Sequence, residues 1–493
     1  MTALAQSSAW ISDPVTSAPG GPWDLLVIGG GTAGMVAAKT AAGFGATVLL
    51  VEKDRTGGDC LWTGCVPSKT LLSSAHAAAQ ARNAGRYGVT VVGVGVDFAE
   101  VMRQVRTAID TIEPTDSPAA LRAAGVHVAH GTAAFTGRRT AQIDGITVGF
   151  RRALVTTGAA PVMPSIRGLA QAGPLTSETI WAITALPGRL LVLGGGSIGC
   201  ELGQAFARLG STVSIVEDAA TLLVREDSDA AALVTAALIA DGVSVRTGVA
   251  VQEISASDQG WCAELADGSR IEFDRILVAA GRRARTNGLG LDAAGIDVDE
   301  RGYVDVDSHL QTSNPRVWAA GDLTGYPPFT HTAGVHGTLA ATNAVLGLRR
   351  TVDAATIPRV TFTQPEVAAF GVGAQQAGAG TRLTVRTIAH CEVDRAIAEQ
   401  LTDGFTRLVL DGKSRVVGAT IVGPRAGESL AEVVLAARHG LRARDLAATI
   451  HAYPTYSDGV WKAGIAQLQQ QLRRPAIRRI IELVAAVRRR TTR

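Results

Sequence analysis

Two cysteines separated by four residues lie behind a glycine pair in Gly57-Gly58-Asp59-Cys60-Leu61-Trp62-Thr63-Gly64-Cys65-Val66-Pro67-Ser68-Lys69. Thiols this close can cycle between dithiol and disulfide, which would pass electrons to an acceptor. The spacing constrains the backbone. Five steps of a regular helix rise about 7.5 Å, and with the lateral offset the two Cα atoms would exceed the roughly 7 Å that a disulfide tolerates. Bridging Cys60 and Cys65 therefore needs an irregular turn. Gly64 suits one, because glycine reaches backbone angles closed to other residues, and Pro67 fits an early helical position just beyond. The alternative is two separately buried thiols, since cysteine is among the most buried residue types.

The elements that would position this pair are written twice in the chain. Residues 24–52 run from an apolar strand into Gly29-Gly30-Gly31-Thr32-Ala33-Gly34, then an alanine-rich helix to about Phe44, then a strand ending at Glu52. Residues 189–217 repeat the plan through Gly194-Gly195-Gly196-Ser197-Ile198-Gly199 to Glu217. In each copy an acid follows the first glycine by 23 residues. This is the dinucleotide-binding fingerprint. The first glycine (Gly29, Gly194) makes the tight turn, the second (Gly31, Gly196) admits the pyrophosphate, and the third (Gly34, Gly199) lets the helix pack closely. The helix N-terminus offers N–H groups and a positive dipole end to the phosphates.

Two copies imply two dinucleotides. The first, followed by the thiols, is expected to hold FAD, with Glu52 on the adenosine ribose and Lys53 and Gly58 nearby. The second is expected to hold a nicotinamide cofactor. Glu217 would bond the ribose of NADH and repel the extra phosphate of NADPH, which favours NADH, although Arg225 follows closely and works the other way.

At 493 residues the chain is too long for one core, and two to four domains are expected. A 46% hydrophobic and 18% charged composition is that of an ordinary globular protein. The net charge of +3 argues against general nucleic-acid binding. Five cysteines, at 60, 65, 200, 262 and 391, are too few and scattered for a secreted disulfide framework. One close pair in a thiol-poor chain points to a cytoplasmic redox enzyme. No stretch approaches 18 consecutive apolar residues, and Met1 to Pro22 lacks the features of a signal peptide. Glycine-containing joints are expected at Thr156-Thr157-Gly158 and Ala279-Ala280-Gly281.

These motifs resemble those of class I pyridine nucleotide-disulfide oxidoreductases, the family of glutathione reductase, dihydrolipoamide dehydrogenase and mercuric reductase. The resemblance covers about residues 22–463. It rests on the thiol motif, both fingerprints, Thr157-Gly158-Ala159, Ala280-Gly281-Arg282, and Thr312-Ser313-Asn314-Pro315 followed by Ala320-Gly321-Asp322. It implies an α/β fold with two Rossmann-like domains and a C-terminal α+β dimerisation domain. The implied order is a disordered leader (1–21), FAD-binding segments (22–160 and 283–353), an NAD(P)-binding domain (161–282), a dimerisation domain (354–466) and a basic tail (467–493). Gly158, Gly281 and Asp322 would join the cofactor sites, with Asp322 on the ribityl chain. Lys69 and Glu201 stand where the family places an ion pair beside the flavin. The implied mechanism carries hydride from NAD(P)H to flavin and electrons on to the disulfide, with Cys65 the flavin-proximal thiolate and Cys60 the thiol that meets the acceptor. The family forms homodimers whose active sites are shared. No resident metal is implied.

The shared segment departs from the disulfide reductases. They carry His-Pro-Thr and, after two intervening residues, Glu, the imidazole serving as acid and base for the leaving thiol. This chain reads His451-Ala452-Tyr453-Pro454-Thr455-Tyr456-Ser457-Asp458, placing Tyr453 at the histidine and Asp458 at the glutamate. A phenol with pKa near 10 is a poor base at neutral pH. Tyrosine here is similar to the mercuric reductase branch, as are Leu202 through Ser211 and Val224-Arg225-Glu226-Asp227. That branch's second, C-terminal cysteine pair has no counterpart, since the last cysteine is Cys391.

The expected function is therefore NAD(P)H oxidation with a metal-ion or small-molecule acceptor. The alternatives are a dihydrolipoamide dehydrogenase-like reductase that recruits His451, or a flavin redox sensor or membrane-associated scaffold. Cys200, Cys262 and Cys391 are expected to be structural. In the tail, Ile477, Ile480, Ile481, Val484 and Val487 fall at helical spacing among eight arginines. A helix packed on the dimer or simply solvated is the plainer reading, and contact with an anionic membrane surface the sharper one.

Overall fold

The structure, a computed structural model, describes residues 12, 13, 15, 21–377 and 381–491, so the leader expected over 1–21 lies almost wholly outside the described residues. It divides into two compact units. One comprises Met1–Gly195, Ala205–Val216 and Val249–Val352, and the other Gly196–Gln204, Glu217–Gly248 and Asp353–Arg493.

The first unit is built around the strand Trp23–Ile28. Its run of apolar residues suits a strand buried on both faces, and Leu25, Leu26 and Val27 are fully buried. Parallel neighbours flank it, Val48–Glu52 on one side and Ile146–Val155 on the other. Val126–His130 and Val317–Ala319 extend the parallel sheet outward. The Thr32–Gly43 helix and the Thr330–Leu346 helix share one core through Ala33, Ala37, Ala38, Ala333, Ala340 and Ala341. Small residues let their backbones approach. A Cβ on Gly337 would lie 2.4 Å from the Ala33 carbonyl oxygen, so only glycine fits there. This close packing fixes where Thr330, the first residue of its helix, stands.

A second parallel sheet in the same unit contains Thr212–Glu217, Arg189–Leu193, Arg275–Val278 and Leu175–Thr176. The antiparallel strands Val251–Ser257, Gly260–Leu265 and Arg270–Phe273 pack into its core. The chain passes between the two sheets at the glycine-bearing joints. These are not loose hinges: Ala159–Pro161 pairs antiparallel with Arg282–Ala284. The ribbon is closed by Val162 N–H to Gly281 O (3.0 Å) and Arg285 N–H to Gly158 O (2.9 Å).

The second unit holds a five-stranded antiparallel sheet, in order Arg359–Thr361, Glu366–Gly371, Val416–Gly423, Phe405–Leu410 and Thr384–Ala389. The helices Ala426–Arg438 and Asp458–Leu472 share its core. Bound to this sheet is the start of the Ser197–Leu209 helix. Ser197 Oγ is 2.8 Å from Thr361 Oγ1, Glu201 accepts the Phe362 N–H (2.9 Å), and Gln204 exchanges two hydrogen bonds with the Gln364 backbone. Asp227, ahead of the Ser228–Ala240 helix, accepts from Arg407 Nη1 (3.2 Å) and Thr420 Oγ1 (3.0 Å). A last helix spans Pro475–Thr491. Among the described residues no helix is long and apolar enough to cross a membrane.

Candidate active site

Cys60 lies in a short helix, Gly58–Trp62, and Cys65 opens the long helix Cys65–Arg82, so the expected irregular turn is Thr63-Gly64. Gly64 serves by having no side chain rather than by a positive φ. Its φ is −119°, and a Cβ there would stand 2.8 Å from the Asp59 carbonyl oxygen. The left-handed angles fall earlier, at Gly57 (φ +102°) and Gly58 (φ +58°). Two indoles brace the turn. Trp62 Nε1 donates to Thr56 O (2.7 Å), with the Arg55 guanidinium 4.0 Å over its ring, and Trp181 Nε1 donates to Thr63 O (2.8 Å) and Ser177 O (2.7 Å).

The thiols are thereby brought into hydrogen-bond contact. Cys60 is pushed well above the usual thiol range, first by its hydrogen bond to Cys65, then by burial and by charge on Cys65. Cys65 stands at the positive end of its helix, where a thiolate is favoured. Cys65 Sγ is 3.1 Å from Thr330 Oγ1, and the same hydroxyl favours the ionised form of Cys60. Thr330→Val is expected to move thiol reactivity to higher pH by about one unit. A hydrogen bond to a charged group contributes about 1.5 kcal/mol or more, and about 1.4 kcal/mol corresponds to one unit. Alkylation by iodoacetamide as a function of pH reads this directly, and an unshifted profile would separate the hydroxyl from the thiolate.

Both glycine turns fit a dinucleotide. Gly29 (φ +107°) and Gly194 (φ +107°) sit so tightly that a Cβ would come within 2.6 Å of Thr156 O and 2.5 Å of Ala279 O. By contrast, Gly196 faces open space and Gly31 meets only Gly58 Cα at 3.8 Å, leaving room for phosphate. A Cβ on Gly34 would lie 1.9 Å from Gly29 O, the close packing expected of the third glycine. Gly199 lies on the Ser197–Leu209 helix. Glu52 accepts the Gly30 N–H (2.6 Å) and the Asp54 N–H (2.8 Å), so its carboxylate stands at the mouth of the turn. Lys53 is exposed beside it. In the second copy Glu217 accepts the Ala219 N–H (2.9 Å), and its hydrogen bond to Asp218 holds that carboxyl below its usual range.

Asp322 is raised by burial, with Arg282 Nε 3.9 Å away opposing the shift. Arg282 also bonds Asp59 and Ala159 O, and Arg285 lies 3.5 Å from Asp59. Asp59, which precedes Cys60, is thus tied to the ribbon that follows Gly281, near Gly158. Lys69 is half-buried one turn beyond Cys65 on the same helix. Glu201 is buried, bonded to Phe362.

Tyr453 is 69% exposed and donates to Asp394 Oδ2 (2.6 Å). That bond and the charge of Asp394 raise its pKa further, so the phenol stays protonated. Asp458 does not take the phenol. It pairs with Lys462 (3.2 Å), which also lies 3.5 Å from Asp394. His451 is enclosed, with Nε2 2.8 Å from Glu432 Oε2 and Nδ1 3.0 Å from Thr449 O. Both ring nitrogens are thus engaged within the chain. Cys200 and Cys262 are buried and Cys391 is exposed. The sequence reading missed Thr330, Trp181 and the partners of Asp59, and no local spacing announces them.

A family model described as pyridine nucleotide-disulphide oxidoreductase matches residues 23–337, and that family's dimerisation domain matches residues 357–463. The chain is 36% identical over 449 residues to the mercuric reductase of Streptomyces lividans, covering 89% of this chain and 94% of that one. It is 35% identical over 470 residues to the dihydrolipoyl dehydrogenase of Thermus scotoductus, covering 91% and 98%. Among solved structures, the Cu(II) complex of the HOCl-induced flavoprotein disulfide reductase RclA from Escherichia coli superimposes with a TM-score of 0.81 at 27% identity. That match covers 90% of this chain and 99% of RclA.

Proposed function

From the premise that this chain belongs to the pyridine nucleotide-disulphide oxidoreductase family, as an FAD-dependent enzyme with a redox-active disulfide and a dimerisation domain, we propose that it uses NADH to reduce a soft, thiol-seeking acceptor, mercury(II) foremost. The observation that carries this reading is Tyr453. Where a disulfide reductase needs a base for the leaving thiol, this chain offers a phenol held protonated by Asp394. Reduction of a soft cation needs no such proton transfer, and thiolates are the ligands such cations prefer.

The first glycine turn, Glu52 and Asp322 would hold FAD, and the second turn with Glu217 would hold NADH. FAD held there would supply the hydride-accepting, two-electron chemistry that links NADH to the disulfide. Cys65 would carry the thiolate and Cys60 meet the acceptor, so that Hg(II) displaces the Cys60 proton, is held between the two sulfurs, takes two electrons from them and leaves as Hg(0) as the disulfide re-forms, NADH having supplied the electron pair and ending as NAD⁺. In the homodimer we infer that Tyr453 and Asp458 reach the site of the second copy, where the phenol serves as a neutral donor beside the bound ion. The adjacent acids Glu217 and Asp218 disfavour a ribose phosphate, hence NADH over NADPH, and such an enzyme belongs in the cytoplasm. The dihydrolipoamide dehydrogenase-like reading loses its base, because His451 is clamped by Glu432 and Thr449.

The test is NADH oxidation by purified holoenzyme with Hg(II) in excess small thiol, lipoamide, glutathione disulfide or a quinone. Disulfides are expected to turn over about a hundredfold more slowly than Hg(II), the usual loss without general acid–base assistance. Fast lipoamide turnover would overturn this reading, and NADH oxidation with none of the four would place the protein among sensors or scaffolds.

A further inference from the structure

The family's dimerisation domain accounts for residues 357–463, and the Pro475–Thr491 helix lies beyond it. Nothing in an NADH oxidoreductase calls for its composition. The helix carries Arg478, Arg479, Arg488, Arg489 and Arg490 against the single acid Glu482, which is paired with Arg478 (2.9 Å). Pro475 opens it at a position that proline favours.

Its two faces are separated. At 100° per residue, Ile477, Ile480, Ile481, Leu483, Val484 and Val487 fall within an arc of about 160°; Arg478, Arg479, Arg489 and Arg490 fall outside it, and Arg488, in the last turn, is the one arginine inside it. The apolar face is open: Ile480 is 60% exposed, Leu483 66% and Val484 56%. An open aliphatic stripe backed by arginines must be matched by something that is apolar at one depth and anionic at another. A second copy of the helix would cover the stripe but bring two sets of five arginines together. An anionic bilayer satisfies both faces, taking the aliphatic side chains at the acyl boundary and the guanidinium groups among its headgroups.

The charge distribution of the whole chain points the same way. Residues 473–493 hold eight arginines and one glutamate, a charge of +7, while the full chain is only +3, so the other 472 residues carry −4. The tail is the cationic pole of an otherwise slightly acidic protein. A negative surface would attract it and repel the body, which keeps the enzyme peripheral.

We propose that Pro475–Thr491 is an interfacial helix that docks the enzyme on anionic lipid bilayers. At about 26 Å it is long enough to lie along the surface. The test is co-sedimentation of full-length holoenzyme with vesicles of phosphatidylcholine alone or with added phosphatidylglycerol, at low and high salt. Binding is expected only to the anionic vesicles, weakening about tenfold or more as salt screens the arginines. Two surface variants should each lower it about tenfold, Ile480→Ser with Val484→Ser through the apolar face and Arg479→Gln with Arg489→Gln and Arg490→Gln through the charge. Both should retain the parent kcat for NADH oxidation. Equal binding to neutral vesicles, no binding to either, or a variant that alters the oligomeric mass while leaving vesicle binding intact would each overturn the proposal, the last by assigning the helix to a contact between copies.

Discussion

Cys60→Ser is expected to lower acceptor reduction by about 10³-fold or more in kcat, the scale on which removal of a covalent participant is felt, while NADH still bleaches the flavin at close to the parental rate. The reasoning follows from the thiol pair. In the proposed mechanism Cys65 is the thiolate, with Cys60, Thr330 Oγ1 and the start of its own helix beside it. A serine at 60 keeps a hydrogen-bond donor in place, so the Cys65 thiolate survives, but no disulfide can form and the acceptor loses one of its two sulfurs. Cys65→Ser should be at least as damaging and should also remove the thiolate. Stopped-flow flavin reduction read beside steady-state turnover separates the two half-reactions. If Cys60→Ser kept more than about a tenth of parental kcat, electrons would be leaving the flavin without passing through the thiols.

The second large effect contrasts two glycines with opposite surroundings. In Gly34→Ala the new methyl would lie 1.9 Å from Gly29 O and 2.7 Å from Thr156 Oγ1, neither of which can yield without opening the first turn. A cost of about 3 kcal/mol is expected, with a Tm lower by roughly 3–5 °C and poor retention of FAD. Gly196→Ala places its methyl in open space, with no atom within 4 Å. Folding should change by about 0.5 kcal/mol or less. The methyl would instead occupy the approach of the second pyrophosphate, raising KM for NADH about tenfold or more with FAD content intact. Thermal denaturation, flavin-to-protein absorbance ratio and KM measure all three. An unchanged KM in Gly196→Ala would remove the second turn from the nicotinamide site.

What could be read from the sequence was what local chemistry forces. A glycine that must adopt positive φ, or that faces a carbonyl at 2.6 Å, admits no other residue, so Gly29, Gly34 and Gly194 marked their turns as plain letters. Strands buried on both faces showed as apolar runs, and the acids closing them, Glu52 and Glu217, stood at fixed distances. The contacts that tune the site were hidden because they join residues far apart in the chain. Thr330 meets Cys65 across 265 positions, Arg282 meets Asp59 across 223, and Trp181 reaches Thr63 across 118. The phenol of Tyr453 likewise bonds Asp394, 59 residues earlier, while Lys462 pairs with Asp458. Threonine, arginine and tryptophan are common enough that no spacing distinguishes these from their neighbours.

The bonds from Ser197, Glu201 and Gln204 to residues 361–364 bear on how such proteins can be recombined. A chimera joined near residue 353, exchanging the C-terminal portion for that of a relative, would cut at a boundary between the two compact units. It would also require the graft to present the 362 N–H and the 364 N–H and C=O in the same register to Glu201 and Gln204, and a hydroxyl at 361 to Ser197; each such group left unsatisfied costs about 1–3 kcal/mol. Inheritance of the nucleotide helix and of strand Arg359–Thr361 is therefore coupled, and grafts that carry both together are the ones expected to yield intact protein.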